Sequence, residues 1–314
     1  MKLSLTRRQL WRLGAGALAA GFALPAYAFG IEPAWRLDVT RYALTPPGWP
    51  AGRRLTIAAL ADFHVGEPYM GLDRIAHIVA ATNALNPDLV VLLGDYAPAS
   101  RYFIRRQVTP EALGRTLAGL RAPLGCFAIL GNHDYWNGAP KWVAGLQDSG
   151  IRVLQNAVVP LDMGGQRVWL AGTASIVAIR SSRRRFFGLD DLPGTLAQVT
   201  DEAPVILLAH EPDIFPRVPR RVALTLSGHT HGGQVRVLGW SPRVPSQFGN
   251  RFAYGHVQEE GRDLVVSGGL GFSSIPVRFG VPPEIVLITL GDEAAQLHSG
   301  NVDATAGSAR HSAA

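Results

Sequence analysis

A single cysteine, Cys126, stands in 314 residues, so no disulfide can close within the chain. It lies in the apolar run Cys126-Phe127-Ala128-Ile129-Leu130, where nothing nearby in sequence would stabilise a thiolate. It reads as a small buried hydrophobe. Charge is also scarce, at 17% of residues against 47% apolar, and the basic residues are mostly arginine, with little lysine. The formal balance of +6 overstates the matter, because Lys2, Arg7, Arg8 and Arg12 fall in the first 28 residues with no acid among them. The rest of the chain sits near +2. That balance gives no argument for a nucleic-acid partner, and no specific nucleic-acid contact is expected. Long apolar runs are missing too. Leu13 to Leu24 is short of the roughly 20 residues that span a bilayer.

What the first 28 residues do contain is an address. Thr6-Arg7-Arg8-Gln9-Leu10-Trp11-Arg12 is followed by a mild segment rich in Gly and Ala, then by Pro25-Ala26-Tyr27-Ala28. Small residues at 26 and 28 fit signal-peptidase cleavage after Ala28. The paired arginines resemble a twin-arginine export signal, a route that carries folded proteins and implies the twin-arginine translocation machinery as a partner. The expectation is an exported protein, in the periplasm or on the outer face of the cytoplasmic membrane. Residues 29–50 are expected to form lead-in strands and 51–290 one domain. Residues 291–314, rich in Ala, Ser and Gly, read as a disordered tail.

Within 51–290 one pattern recurs. Leu55-Thr56-Ile57-Ala58-Ala59-Leu60 leads to Asp62-Phe63-His64, and Leu89-Val90-Val91-Leu92-Leu93 leads to Gly94-Asp95. Cys126 to Leu130 leads to Gly131-Asn132-His133-Asp134, Val205 to Ala209 leads to His210, and Leu224 to Gly228 leads to His229-Thr230-His231. Short runs that are apolar at nearly every position are strands buried on both faces. Helical patterns lie between them: Leu72 to Leu85 stopping at Asn86-Pro87, a second from Pro110 capped by Thr109, and a third from about Pro140 to Asp148. The implied fold class is α/β, and in such sheets ligands gather beyond the carboxyl ends of strands. Five of the nine histidines fall at such ends. Clustered His, Asp and Asn without thiolate suit manganese, iron or zinc.

This motif order resembles the calcineurin-like metallophosphoesterase superfamily. The similarity extends through Gly232-Gly233-Gln234, Ser267-Gly268-Gly269-Leu270-Gly271, Pro276-Val277-Arg278-Phe279 and Pro282-Pro283-Glu284-Ile285. Those later stretches look like a bacterial branch that includes twin-arginine-exported phosphoesterases and UDP-2,3-diacylglucosamine pyrophosphatases. The resemblance implies a four-layer α-β-β-α sandwich of two mixed sheets. It also implies two divalent metal ions, with Asp62, His64, Asp95 and His231 on one, and with Asp95 bridging to a second completed by Asn132, His210 and His229. A hydroxide shared by the two ions would attack a phosphodiester or pyrophosphate bond, and His133 would assist the leaving group. A phosphomonoesterase on the same residues is the nearest alternative, and a metal-free binding module is the alternative of another class.

One position departs from the pattern. Many relatives carry an acid or a tyrosine three residues after the Gly-Asp aspartate, where this chain has Pro98 and where Tyr96 directly follows Asp95. The resemblance therefore excludes a purple acid phosphatase and a Ser/Thr protein phosphatase, and leaves the orientation of His133 unassigned. Arg278 is a candidate phosphate clamp, or else the partner of a carboxylate such as Glu284. The basic stretch Arg180, Arg183, Arg184 and Arg185 is either a solvated loop or a contact for a phosphate headgroup, hence for the membrane periphery. The expected substrate is a small-molecule, nucleotide or lipid-linked phosphate, and the expected state is a monomer.

Overall fold

Alternation within the short apolar runs builds two cores at once. In β2 (Leu55–Leu60), Leu55, Ile57 and Ala59 turn to one face, and Ala58 and Leu60 turn to the other. Every position is buried, as the unbroken apolar pattern requires of a strand covered on both sides. The computed structural model describes residues 6–8, 12, 21–182 and 185–291. Most of the expected leader, Arg183, Arg184 and the expected tail beyond Gly291 lie outside the described residues. No helix among them is long and apolar enough to cross a membrane.

The first sheet has six strands. With β1 (Asp38–Leu44), β3 (Leu89–Leu92), β4 (Cys126–Ala128), β5 (Arg152–Val153) and the late β14 (Glu284–Leu290), the order is β1-β14-β2-β3-β4-β5. Only the β14–β2 pair is antiparallel. The second sheet takes β6 (Ala157–Asp162), β7 (Arg167–Gly172), β10 (Val205–Leu208), β11 (Val222–Ser227), β12 (Gly255–Glu259) and β13 (Arg262–Val266), in the order β12-β13-β11-β10-β7-β6. A two-residue hairpin pair, β8 (Ile179–Arg180) and β9 (Phe186–Phe187), stands apart.

The inner faces of both sheets meet in a dry core that joins Ile57 and Val91 to Leu170, Ile206 and Leu226. The outer face of the first sheet packs on helices at the expected places. α1 is Glu32–Trp35, α2 is Leu72–Ala84 and α3 is Pro110–Leu117; α4 is Asn132–Trp136, α5 is Ala139–Gln147 and α6 is Leu192–Leu196. Thr109 caps α3, its hydroxyl accepting from the Ala112 amide at 3.2 Å, and Pro110 opens the helix where no amide is needed. The outer face of the second sheet is covered by α6 and by 3₁₀ turns bearing Ile214, Phe215 and Phe252. The architecture is the expected α-β-β-α sandwich, with its fourth layer made of short pieces.

Residues 29–50 correct the sequence reading, because they carry one strand and not several. A helical turn, Tyr27–Ile31 running into α1, precedes β1. Pro33 near the start of α1 and Glu32 in its first turn favour that helix. The turn is fastened to the domain. Glu32 is buried and accepts from the Val281 amide at 2.9 Å, while the Ala28 carbonyl accepts from the Arg278 amide at 2.9 Å.

Candidate metal centre

Both sheets end at one seam, and the polar residues after their strands fill it. β2 delivers Asp62 and His64, β3 delivers Asp95, and β4 runs into α4 with Asn132 and His133; β10 delivers His210, and β11 delivers His229 and His231. Backbone bonds tie these loops together. The Asp62 amide donates to Gly94 O at 3.0 Å, His64 N to Asp95 O at 2.9 Å, and Gly228 N to His210 O at 3.0 Å. Across the seam the His229 amide donates to both Asp62 carboxylate oxygens at 3.0 Å. Asp62, His64, Asp95, His229 and His231 all take left-handed backbone, with φ from 45° to 69°. That conformation costs roughly 1–2 kcal/mol per residue, which these cross-ties must offset.

The side chains converge in two groups, Asp62 with His64 and His231, and Asp95 with His210 and His229, the ligand atoms of each group lying within 4.8 Å of one another. Asn132 joins the second group, its Oδ1 being 2.9 Å from His229 Nδ1. Asp95 lies between the groups, its Oδ2 being 3.5 Å from His64 Nε2 and 3.3 Å from His210 Nε2. Backbone carbonyls hold two imidazoles from behind, Ala97 O at His64 Nδ1 (2.8 Å) and Leu93 O at His210 Nδ1 (2.7 Å). Each fixes a proton on Nδ1 and leaves Nε2 turned inward, as a metal-binding histidine requires.

The electrostatics match a site built around positive charge. Burial pushes the Asp62 carboxyl up to about 7. Burial would raise Asp95 also, but the facing His210 and His133 hold it well below the usual carboxylate range. Burial brings His64 down to about 4 and His229 to about 3, and it lowers His231 and His133 as well. His210 goes the other way, Asp95 raising it against burial. Its buried Nε2 nonetheless has no hydrogen-bond partner of proper geometry. Imidazoles held neutral at His64, His229 and His231, two buried carboxylates and an orphaned ring nitrogen on His210 fit divalent cations, which would balance charge that burial otherwise penalises.

His133 lies in neither group. Its ring meets the His64 ring edge-on at 4.9 Å and the Trp136 ring at 4.8 Å, on the wall of a cleft of about 820 Å³. Ring packing orients it, with Pro98 also on the cleft wall and no carboxylate at that position. Asp134 accepts from the amides of Asp95 (2.9 Å), Ala97 (2.8 Å) and Gly131 (2.9 Å), so it holds the loops.

Arg278 is a correction. It is fully buried, and its guanidinium donates to the carbonyls of Gly268, Gly269, Gly271 and Val281. It also comes 3.3 Å from His231 Nδ1. Its bonds hold the loop behind the site, and its complete burial keeps it from a substrate phosphate. Glu284 pairs elsewhere, accepting from Tyr254 OH and the Gly268 amide at 2.8 and 2.7 Å. Trp136 escaped the sequence reading, although its place three residues after His133 on α4 puts both on one helix face.

The family profile described as calcineurin-like phosphoesterase matches residues 55–233, more than half the chain and all seven clustered residues. The chain belongs to that family. The phosphoesterase is 30% identical over 295 residues to the uncharacterized metallophosphoesterase YkuE of Bacillus subtilis, covering 91% of this chain and 98% of that one. It is 34% identical over 246 residues to F40B5.2 of Caenorhabditis elegans, a protein named for the same family, covering 75% of this chain and about half, 48%, of the nematode protein. It is 26% identical over 287 residues to the UDP-2,3-diacylglucosamine pyrophosphatase LpxG of Chlamydia trachomatis, covering 74% and 83%. The chain is thus a metal-dependent phosphoester hydrolase, and the clustered side chains at this seam fit divalent metal binding.

Proposed function

We propose that the chain is a two-metal hydrolase of phosphodiester or pyrophosphate bonds. The observation that carries this reading is the place of Asp95, whose one carboxylate oxygen faces His64 of the first group and His210 of the second within 3.5 Å. Asp62, His64, Asp95 and His231 would hold one cation; Asp95, Asn132, His210 and His229 would hold the other. Manganese, iron or zinc suits this set of oxygen and nitrogen donors. Two such cations supply Lewis acidity, lowering the pKa of water and drawing charge off the phosphate oxygens.

The rest of the work falls to the chain's own side chains. The His133 ring faces the cleft, where it donates a hydrogen bond or a proton to the departing oxygen as the bond to phosphorus breaks. The left-handed loops fix five of the seven donors in place, so substrate meets a preset geometry.

The paired arginines at 7 and 8 support export by the twin-arginine route and action on the outer side of the cytoplasmic membrane. Exposed Val237, Leu238 and Trp240 at one turn, beside Arg236, support contact with the membrane periphery. The likeness to LpxG supports a nucleotide or lipid-linked substrate.

The deciding experiment is a manganese-supplemented screen of bis-p-nitrophenyl phosphate, p-nitrophenyl phosphate and UDP-linked lipids, run on the full chain and on Asp95→Asn. The native chain is expected to retain two metal equivalents and to favour the diester or pyrophosphate. Asp95→Asn should lose metal and slow by roughly 1,000-fold or more, since the charge that joins the two sites is gone. Preference for the monoester, or unchanged turnover with full metal in Asp95→Asn, would sink the proposal.

A further inference from the structure

The cleft beside His133 carries chemistry that the clustered donors do not use. Arg101, Lys141 and Arg180 line it together with Trp136, and Glu111 is the one carboxylate on its wall among the described residues. Among the described residues, none of the three cations forms an ion pair with a carboxylate. Three positive groups against one negative group, next to the catalytic ring, make a local field that attracts an anion.

Trp136 fixes where that charge points. Its indole N–H donates to Val177 O at 3.2 Å, which fastens the β8–β9 hairpin to α4. One ring neighbour is Phe186 of β9, stacked at 5.6 Å; another is His133, at 4.8 Å. The Arg180 guanidinium lies 5.5 Å over the same ring. One indole therefore positions His133 and Arg180 side by side. A guanidinium held on an aromatic ring keeps its N–H groups free for a planar, two-toothed grip on an oxyanion.

We propose that this cleft is the leaving-group subsite, in which Arg180 and Arg101 hold a second phosphate, so that the natural substrate is a phosphoanhydride. This rests on the two-metal reading and narrows it, since a simple diester with an uncharged leaving group gains nothing from the arginines. In the hydrolysis the oxygen of water bonds to the metal-side phosphorus. The bond from that phosphorus to the bridging oxygen breaks, and its electron pair stays on the departing phosphate. The two protons of water are shared among the products and solvent.

The test compares native chain, Arg180→Gln and Arg101→Gln on two substrates at constant free manganese. One is a dinucleoside pyrophosphate; the other is bis-p-nitrophenyl phosphate, whose leaving group is a phenol. Each arginine removed is expected to lower kcat/KM for the pyrophosphate roughly 10- to 100-fold, as for a lost charge-assisted hydrogen bond, and to leave the diester nearly unchanged. Tryptophan fluorescence supplies a reading independent of turnover. Methylenediphosphonate should bind the native chain more tightly than methylphosphonate, and Arg180→Gln should erase that advantage. Equal losses on both substrates would mean that Arg180 only braces His133, and no loss on either would mean that the cleft is not the subsite; both overturn the proposal. If neither substrate is turned over by the native chain, the two-metal reading fails, and the diphosphonate titration alone decides the subsite.

Discussion

The backbone amide of His133 donates to Oδ1 of Asp95 at 2.8 Å. Main chain and side chain of one residue are thus divided between two tasks. The amide steadies the aspartate that lies between the two donor groups, while the ring faces the cleft.

Replacing the ring should separate those tasks. His133→Ala keeps the amide and is expected to retain full metal content. Its turnover should fall roughly 100- to 10,000-fold, the usual range for a lost general acid, and should fall most for leaving groups of high pKa. A leaving-group series with metal analysis on the same samples checks it. Loss of metal would show that the ring is itself a ligand.

A second consequence of that crowding concerns Gly131. A Cβ built there would lie 2.2 Å from Asp95 Oδ1 and 2.6 Å from Asp95 N, so the aspartate would have to move. Gly131→Ala should cost roughly 1–3 kcal/mol of stability, as overpacking does, and should release metal as well. Thermal unfolding and metal analysis check this against Gly30→Ala, whose Cβ would meet nothing within 4 Å and which should stay close to the native chain.

Much of this centre could be read from the sequence because each donor immediately follows its strand. An apolar run stops, a polar residue follows, and the sheet carries it to the carboxyl edge; the pattern placed Asp62, Asp95 and His210 there, and the family resemblance supplied their role as ligands. Arg278 was misjudged for the opposite reason. Its role depends on carbonyls from Gly268 to Gly271 folding back on it, which no spacing around residue 278 reports. The ring packing that aims His133 is likewise distributed over β2 and α4, so the missing acid at 98 looked like a gap. The helical start at Tyr27–Trp35 was missed, although Pro33 in the first turn of α1 favours a helix there.

Cys126 offers a test away from the site. Burial pushes its thiol up to about 11. The reactive thiolate should therefore be scarce at pH 8, and alkylation by iodoacetamide should run roughly 100-fold slower than for an unperturbed cysteine. Because the shift is upward, the rate should keep rising about tenfold per pH unit to pH 10, where a free thiol has already levelled off. Alkylation time courses followed by intact mass read both. A fast reaction at pH 8 would mean that the β4 edge is open to solvent.

Five of the seven donors occupy a backbone shape that side-chained residues ordinarily avoid. The two sheets hold that shape through bonds across the seam, such as the hold of the His229 amide on Asp62. The aim of these donors is thus set by the main chain, and their chemistry by which side chain each position carries. Any drift in ion preference on this scaffold has to come from exchanging side chains on an unmoved main chain, since reshaping a single loop would release its neighbours as well.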